Sequence, residues 1–428
     1  MASDGPPFAR VSRTELEECE SAVRSYSRLF NCIFSRARGI YLFDQDGKGY
    51  IDFLSGAGVL NYGHNNPLLK GALLDYIKSD GVVSSLDLHT TAKAHFLRSF
   101  RDAVLKPCGL DYKVQFCGPT GTDAVEAALK LARKITGRRG IVAFTNAYHG
   151  VSLGALATTS GICERSAAGV PLEFVVRMPF EGYLGPQIDT IAVLEGMLAA
   201  GGGVDPPAGI IVETVQAEGG INVASVGWLQ RLRDVVTRHD IVLIADEIQV
   251  GCGRTGRFFS FERAGITPDI VCMSKAIGGF GLPLAITLIR PELDCWSPGE
   301  HVGTFRGNNL ALVTAAAALE YWRTDEFPRV LADRAAHMRA GLDGLVRHYS
   351  ENLIEVRGIG MIQGLRCREP EFAHRVMACA FARGLLFETA GARKETIKLL
   401  PPLVIEEGEL DEGLRVLATA IDEARKSR

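Results

Sequence analysis

Residues 241–275 read IVLIADEIQVGCGRTGRFFSFERAGITPDIVCMSK. An apolar run rich in Ile and Val ends at Asp246-Glu247, and a second run, DIVCMS, ends at Lys275. Short continuous runs of this composition suit strands buried on both faces of a parallel sheet. Open sheets of that kind receive ligands at the carboxyl ends of their strands. An acid at one strand end and a lysine at another therefore belong beside a ligand, whose nature has to come from the surrounding chain.

Outward from this stretch, strands alternate with helices from about residue 113 to 290, with LAITLI at 284–289 completing the series. Such alternation predicts a large parallel α/β sheet. Upstream, KVQFCGPTGTDAVEAALKLARKITG (113–137) reads as a strand, a Gly/Thr turn and a helix running through Lys134. Free N–H groups and the dipole at such a helix start favour an anion, so Gly121 and Thr122 are either a structural cap or a phosphate cradle. No Gly-Lys-Ser/Thr follows and no GxGxxG is present, which argues against a Walker loop and a dinucleotide fingerprint. A strand at 141–146 ends in Ala147-Tyr148-His149-Gly150, either an aromatic packed in a loop or a ring placed to stack on a flat ligand. The strand at 208–215 carries Glu213 near its end, then Gln216 and Glu218. Polar groups there need partners, so they contact a ligand or support the groups that do.

The flanks read differently. Residues 14–30 suggest one polar helix, and IYLFDQDGKGYIDFL (40–54) a hairpin turning at Asp44-Gln45-Asp46-Gly47, at a sheet edge rather than in the parallel core. SGAGVLNYGHNNP (55–67) is a loop, either a plain connection or one lying against a ligand. Helices follow at 67–79 and 91–105. After HVGTFRGNN (301–309) come helices at 310–323 and 327–349, a glycine-broken β segment at 354–367, a helix at 370–383, TIKLLPPL at 396–403 and a last helix from about 407. The expected organisation is an N-terminal segment, 1–60, packing with the small domain, a large ligand-binding domain, 61–310, and a smaller C-terminal α/β domain, 311–428.

Composition narrows the class. The chain has 428 residues, 47% hydrophobic and 23% charged, with a net charge of −3. This describes an ordinary globular protein without a nucleic-acid or acidic-membrane surface. The start, MASDGPPFARVSRTELEE, has no apolar leader core, and no apolar run is long enough for a membrane span. Ten scattered cysteines without CxxC or Cys/His pairing fit reduced thiols in the cytoplasm and no zinc site. Cys117 and Cys272, inside strand patterns, read as small buried hydrophobes.

A lysine that bonds a carbonyl carbon and an aspartate that holds a pyridinium nitrogen are a protein's usual contribution to pyridoxal phosphate chemistry. The strand's period of two puts Asp246 and Ile248 on one face, so Ile248 would underlie the ring, with Tyr148 above it. Burial near that cation would depress the pKa of Lys275, as a nucleophilic amine requires. The motifs SGAGVLNYGHNNP, GPTGTDAVEAALKLARK, YHG, VETVQAEGG, IADEIQVGCGRTG, MSKAIGG and TFRGNN, in that order over roughly residues 30–405, resemble the class III (ω-) aminotransferases of PLP fold type I. More narrowly, GGINVAS, IQVGCGRTGRFFSFERAGI and KLLPPL are similar to the diaminobutyrate–2-oxoglutarate branch. That branch exchanges an amine between glutamate and aspartate 4-semialdehyde, making L-2,4-diaminobutyrate for ectoine, diaminopropane or peptide pathways.

The resemblance implies roles position by position. Lys275 would bond the cofactor covalently and Asp246 would hold its ring nitrogen. Gln249 would lie near its 3′ oxygen, Gly121 and Thr122 at its phosphate, and Tyr148 on its ring. Thr304 would reach the phosphate of a neighbouring subunit's cofactor, making a homodimer the smallest active unit. Glu213 and Glu218 match two glutamates on the substrate side. Two departures bear on substrate. Lys398 stands where many relatives have an arginine for the α-carboxylate, and lysine lacks the bidentate fork; Arg306 is the alternative anchor. Ala57 replaces the tyrosine of ornithine-type relatives, which counts against ornithine. A terminal CH₂–NH₂ and an α-amino acid must share the site in turn, and Glu218 pairing with Lys398 or Arg393 is the expected switch. GABA- or ornithine-type transamination, and racemase or decarboxylase chemistry on the same scaffold, are the rival readings.

Overall fold

The computed structural model describes residues 10–426; the expected absence of a leader concerns a start of which 1–9 lie outside that range. Its centre is a seven-stranded sheet of β1 (Lys113–Phe116), β2 (Ile141–Phe144), β3 (Val175–Met178), β4 (Gly209–Val212), β5 (Val242–Asp246), β6 (Ile270–Met273) and β7 (Ile286–Ile289), in the spatial order β1-β7-β6-β5-β4-β2-β3. Along β5, Leu243 and Ala245 enter one apolar cluster while Val242 and Ile244 enter the other. Both faces being buried explains why these strands read as unbroken apolar runs. Helix Gly121–Thr136 covers one face with Ala124, Ala128 and Leu131 against Ile244 and Cys272. On the other, Trp228 of helix Val226–Arg238 packs its ring edge against Phe144, with centroids 5.1 Å apart. Cys117 and Cys272 are buried, as expected of small hydrophobes.

The sheet is not parallel throughout. β7 runs antiparallel to both β6 and β1. Between β6 and β7 lies only a 3₁₀ turn, Lys275–Gly278, and a parallel return would need a longer crossover, usually helical. Because β1 is antiparallel to β7, it points the same way as β6, and the carboxyl ends of the other strands all meet at one edge.

The flanks depart from expectation in two places. Residues 14–30 are not one helix but two, Arg13–Cys19 and Tyr26–Leu29, and neither buries a residue. Without an apolar stripe to hold it on the body, a continuous helix gains little from packing. The loop at 55–67 opens with a left-handed turn, Ser55–Gly58, in which Ser55, Gly56, Ala57 and Gly58 all have positive φ. The hairpin forms as expected from Tyr41–Asp44 and Gly49–Asp52, joined by Phe34–Arg38 on one side and Leu385–Leu386 on the other. A further four-stranded sheet comprises the hairpin Leu353–Ile359/Ile362–Cys367 with Thr396–Leu399 and Glu388–Ala390.

Arg254, fully buried, ties these parts together. Its Nη1 donates to Met361 O at 3.1 Å and Pro401 O at 2.5 Å, and its Nη2 donates to Asn61 Oδ1. Burial pushes its pKa down to about 9, the charge of Asp52 opposing. Arg254→Met would strand three acceptors in the interior, each worth about 1–3 kcal/mol when unsatisfied. The expected loss is about 3 kcal/mol or more, read as a lowered urea midpoint; an unchanged midpoint would show that the tie contributes nothing.

Candidate active site

The strand ends converge as the pattern of residues 241–275 requires. β5 ends on Asp246, β6 leads into Lys275, β4 into Glu213, β2 into Tyr148 and His149, and β1 into the turn before Gly121. These residues line one cavity of about 200 Å³, together with Thr122, Gly150, Val151, Glu218, Ile248, Gln249 and Val250. Sheet topology alone brings together groups spread over more than 150 residues of sequence.

Asp246 is 4% exposed and accepts from His149 Nδ1 at 2.7 Å through Oδ2 and from Ile248 N at 3.0 Å through Oδ1. Burial opposes a charge on His149, but its hydrogen bond to Asp246 and the charges of Asp246 and Glu213 outweigh it and raise its pKa. The other ring nitrogen, Nε2, is buried without a partner among the described residues. His149 thus orients Asp246, a role that its neighbourhood in the sequence did not single out. Glu213 accepts from Tyr148 N at 3.0 Å. Tyr148 itself is 37% exposed at the cavity mouth.

Lys275 adopts φ 53, a backbone region that side-chain-bearing residues avoid and that persists at functional sites when the surroundings impose it. Burial lowers its pKa, with the charges of Glu218, Glu388 and Asp246 pulling the other way and that of Lys398 assisting. At the opposite end, Thr120 caps helix Gly121–Thr136 by accepting from Asp123 N. The N–H groups of Gly121 and Thr122 meet no acceptor among the described residues. Thr122 Oγ1 bonds Ser152 Oγ at 2.5 Å, and Gly150, at φ +126, leaves the room Thr122 needs: a Cβ there would sit 2.5 Å from Thr122 Oγ1.

The far wall is ionic. Lys398 Nζ lies 2.5 Å from Glu218 Oε1 and 2.9 Å from Glu388 Oε1, and donates to Gln249 Oε1 at 3.2 Å. Gln249 Nε2 in turn donates to Ala57 O at 2.9 Å and Glu218 Oε1 at 3.2 Å. Burial opposes the charge on Glu218, but Lys398 and Lys275 hold its carboxyl down to about 2. Ala57 therefore joins the site through its carbonyl. Arg393 is not a partner of Glu218 here; the pairing falls to Lys398. Thr304 is exposed, and Arg306 bonds His301 O at 3.1 Å with Asp87 3.8 Å away, so neither lines this chain's own cavity. Glu388 and Tyr26 were not among the expected residues. The signal for Glu388 was legible: LLFETA places one charge in an apolar strand, as TIKLL does with Lys398, and buried charges are paired, whereas nothing local marks Tyr26.

Comparison with known proteins places this geometry. The family Aminotransferase class-III matches residues 22–421. A diaminobutyrate–2-oxoglutarate transaminase of Halalkalibacterium halodurans is 52% identical over 415 residues, covering 96% of this chain and 97% of the relative. One from Bordetella parapertussis is 53% identical over 411 residues, covering 95% and 94%. Among solved structures, the ornithine aminotransferase of Toxoplasma gondii superimposes with a TM-score of 0.85 at 23% identity, covering 97% of this chain and 95% of that one. The chain belongs to the class III aminotransferases. Its cofactor is pyridoxal phosphate, and the donor set fits that group: free helix-start amides for a phosphate, an oriented carboxylate for a ring nitrogen, and a buried amine of lowered pKa for an aldehyde.

Burial raises Glu213 from 4.5 to about 7, with His149 opposing and Asp246 reinforcing. Because the folded value lies above the unfolded one, its stabilising contribution is complete below about pH 4.5 and is lost as pH rises through about 7. Glu213→Gln removes that loss. In cofactor-free protein its melting temperature is expected to gain on wild type progressively from about pH 5 to about pH 8; a constant difference across that range would contradict the assignment.

Proposed function

We propose that this aminotransferase moves an amino group between the terminal amine of L-2,4-diaminobutyrate and 2-oxoglutarate, giving aspartate 4-semialdehyde and glutamate. The observation that carries the reading is identity of 52–53% over nearly the whole chain with transaminases of that name, while the ornithine enzyme named above supports the fold alone. Ala57, in place of a tyrosine, and Lys398, in place of an arginine, agree with a substrate unlike ornithine.

Lys275 would hold the cofactor through Nζ, Asp246 its ring nitrogen, Gly121 and Thr122 its phosphate, and Ile248 and Tyr148 its two faces. Glu213 supports Tyr148 from below, and Gln249 is held at the edge by Ala57 O and Lys398. Bound in this way, pyridoxal phosphate supplies a ring that draws electrons from the carbon bearing the amine. Asp246, oriented by His149, keeps a positive charge at the ring nitrogen favourable. Lys275 Nζ, set free when the substrate amine takes its place and with its pKa lowered by burial, would carry the proton from that carbon to the cofactor, and back again in the reverse direction. Glu218 leaves Lys398 in one half of the cycle, so that the same wall can face a diamino acid and then a dicarboxylate.

A homodimer in the cytoplasm is part of the proposal. Val82, Val83, Leu86, Val302 and Phe305 are exposed, Phe305 by 73%. Ser85 Oγ–Gly307 O and Asn309 N–Val83 O bonds gather them into one patch beside Thr304 and Arg306. An apolar patch on that loop fits a second copy of the chain, into whose cavity Thr304 and Arg306 would reach. No helix among the described residues is long and apolar enough to cross a membrane.

Holoenzyme mixed with L-2,4-diaminobutyrate or glutamate is expected to lose its visible absorbance band, with diaminobutyrate reacting faster than 4-aminobutyrate or ornithine. Lys275→Ala is expected to slow the proton-transfer step by about 10²–10⁴-fold. Faster reaction with 4-aminobutyrate or ornithine would redirect the substrate assignment, and product formation without the absorbance change would favour racemase or decarboxylase chemistry. Sedimentation is expected to give a mass of two chains or more, reduced by Phe305→Asp; a monomer retaining full activity would overturn the shared site.

A further inference from the structure

Two carboxylates share one ammonium at the far wall, and the two are not equivalent. Glu388 lies directly opposite Lys398 on adjacent antiparallel strands. Its Oε1 is 2.9 Å from Lys398 Nζ, its Oε2 accepts from Tyr26 Oη at 2.9 Å, and its side chain is 7% exposed. Glu218 sits on the turn between Val215–Gln216 and Asn222–Val223, lines the cavity, and has a side chain 22% exposed. Glu388 is thus fixed behind Lys398, and Glu218 stands on the substrate side.

A lysine with a single acid partner would form a neutral pair, and withdrawing that acid would leave a bare cation suited to a carboxylate. With Glu388 neutralising Lys398 from behind, the negative charge of Glu218 is left over at the cavity. We propose that Glu388 is a positioning residue for substrate selection: by holding Lys398 it frees Glu218 to receive a second ammonium group, the α-ammonium of a diamino acid whose terminal amine reacts at Lys275. The inference rests on the diamino-acid reading above. 4-Aminobutyrate, which carries a distal carboxylate and no second ammonium, gains nothing from this arrangement. Glutamate, whose second acidic group also has to be accommodated, meets a Lys398 already neutralised.

Glu388→Gln tests this, because it removes the charge and keeps an oxygen that can accept from Tyr26. Half-reactions of the holoenzyme are followed by absorbance at matched cofactor occupancy, yielding an apparent Kd and a maximal rate for each donor. The apparent Kd for L-2,4-diaminobutyrate is expected to rise about tenfold, while those for 4-aminobutyrate and glutamate stay constant or fall and the maximal rates change by less than about twofold. Glu388→Asp is expected to restore much of the preference. Tyr26→Phe, which releases the second oxygen of Glu388, is expected to shift it in the same direction by less. A parallel loss for all three donors, or reduced maximal rates, would mark Glu388 as merely structural and overturn the inference. If Glu388→Gln fails to fold, the Tyr26→Phe and Glu388→Asp ratios decide, an unchanged preference in both overturning it. Wild-type enzyme inert toward L-2,4-diaminobutyrate removes the functional reading itself. Wild-type reactivity with no change of preference in Glu388→Gln removes only the role of Glu388.

Discussion

Interior strands that all run one way end in the same place, and each end leaves the ladder there with polar groups to satisfy. That constraint organises this protein. Because β7 turns back between β6 and β1, all the remaining strands deliver their carboxyl ends to one edge of the sheet. Asp246, Lys275, Glu213, His149 and the N–H groups of Gly121 and Thr122 meet there without any long side-chain reach. The site's chemistry follows from burying such groups together. Desolvation lowers Lys275 and raises Glu213, while a close imidazole gives Asp246 its orientation. An amine brought down and a carboxyl brought up toward the neutral range in one cavity are what proton transfer at neutral pH requires.

The cofactor side was legible in the sequence because backbone periodicity controls it. Apolar runs with nothing polar inside them fixed β5 and β6, and the residues after those runs had to face the strand-end edge. The direction of β7 was not legible: LAITLI is as apolar as its neighbours, and only the lack of a crossover helix before it separates antiparallel from parallel pairing. The helix expected at 14–30 failed for the opposite reason. Its propensities were adequate, but no apolar stripe tied it to the body.

The substrate side was less legible because it is assembled from long-range partners. Lys398 reads as a departure from arginine, yet its partners are Glu388 across a strand pair, Glu218 from another sheet and, through Glu388, Tyr26 from near the start of the chain. No local spacing encodes that set. Ala57 likewise mattered through a backbone carbonyl presented by a left-handed turn, which its side chain could not announce.

The small strand Leu385–Leu386 has a consequence for how the protein is made. It pairs with Ile51 and Asp52, closing a sheet whose other strands lie within residues 34–52. A ribosome synthesises the N-terminal hairpin long before its last partner emerges, so the edge of Gly49–Asp52 waits unpaired through most of translation. Completion of that sheet is therefore a late, post-synthetic event with a large loop to close. Chains truncated before residue 385 would carry an open strand edge, making them candidates for capture by chaperones or for edge-to-edge association rather than for a partly working enzyme.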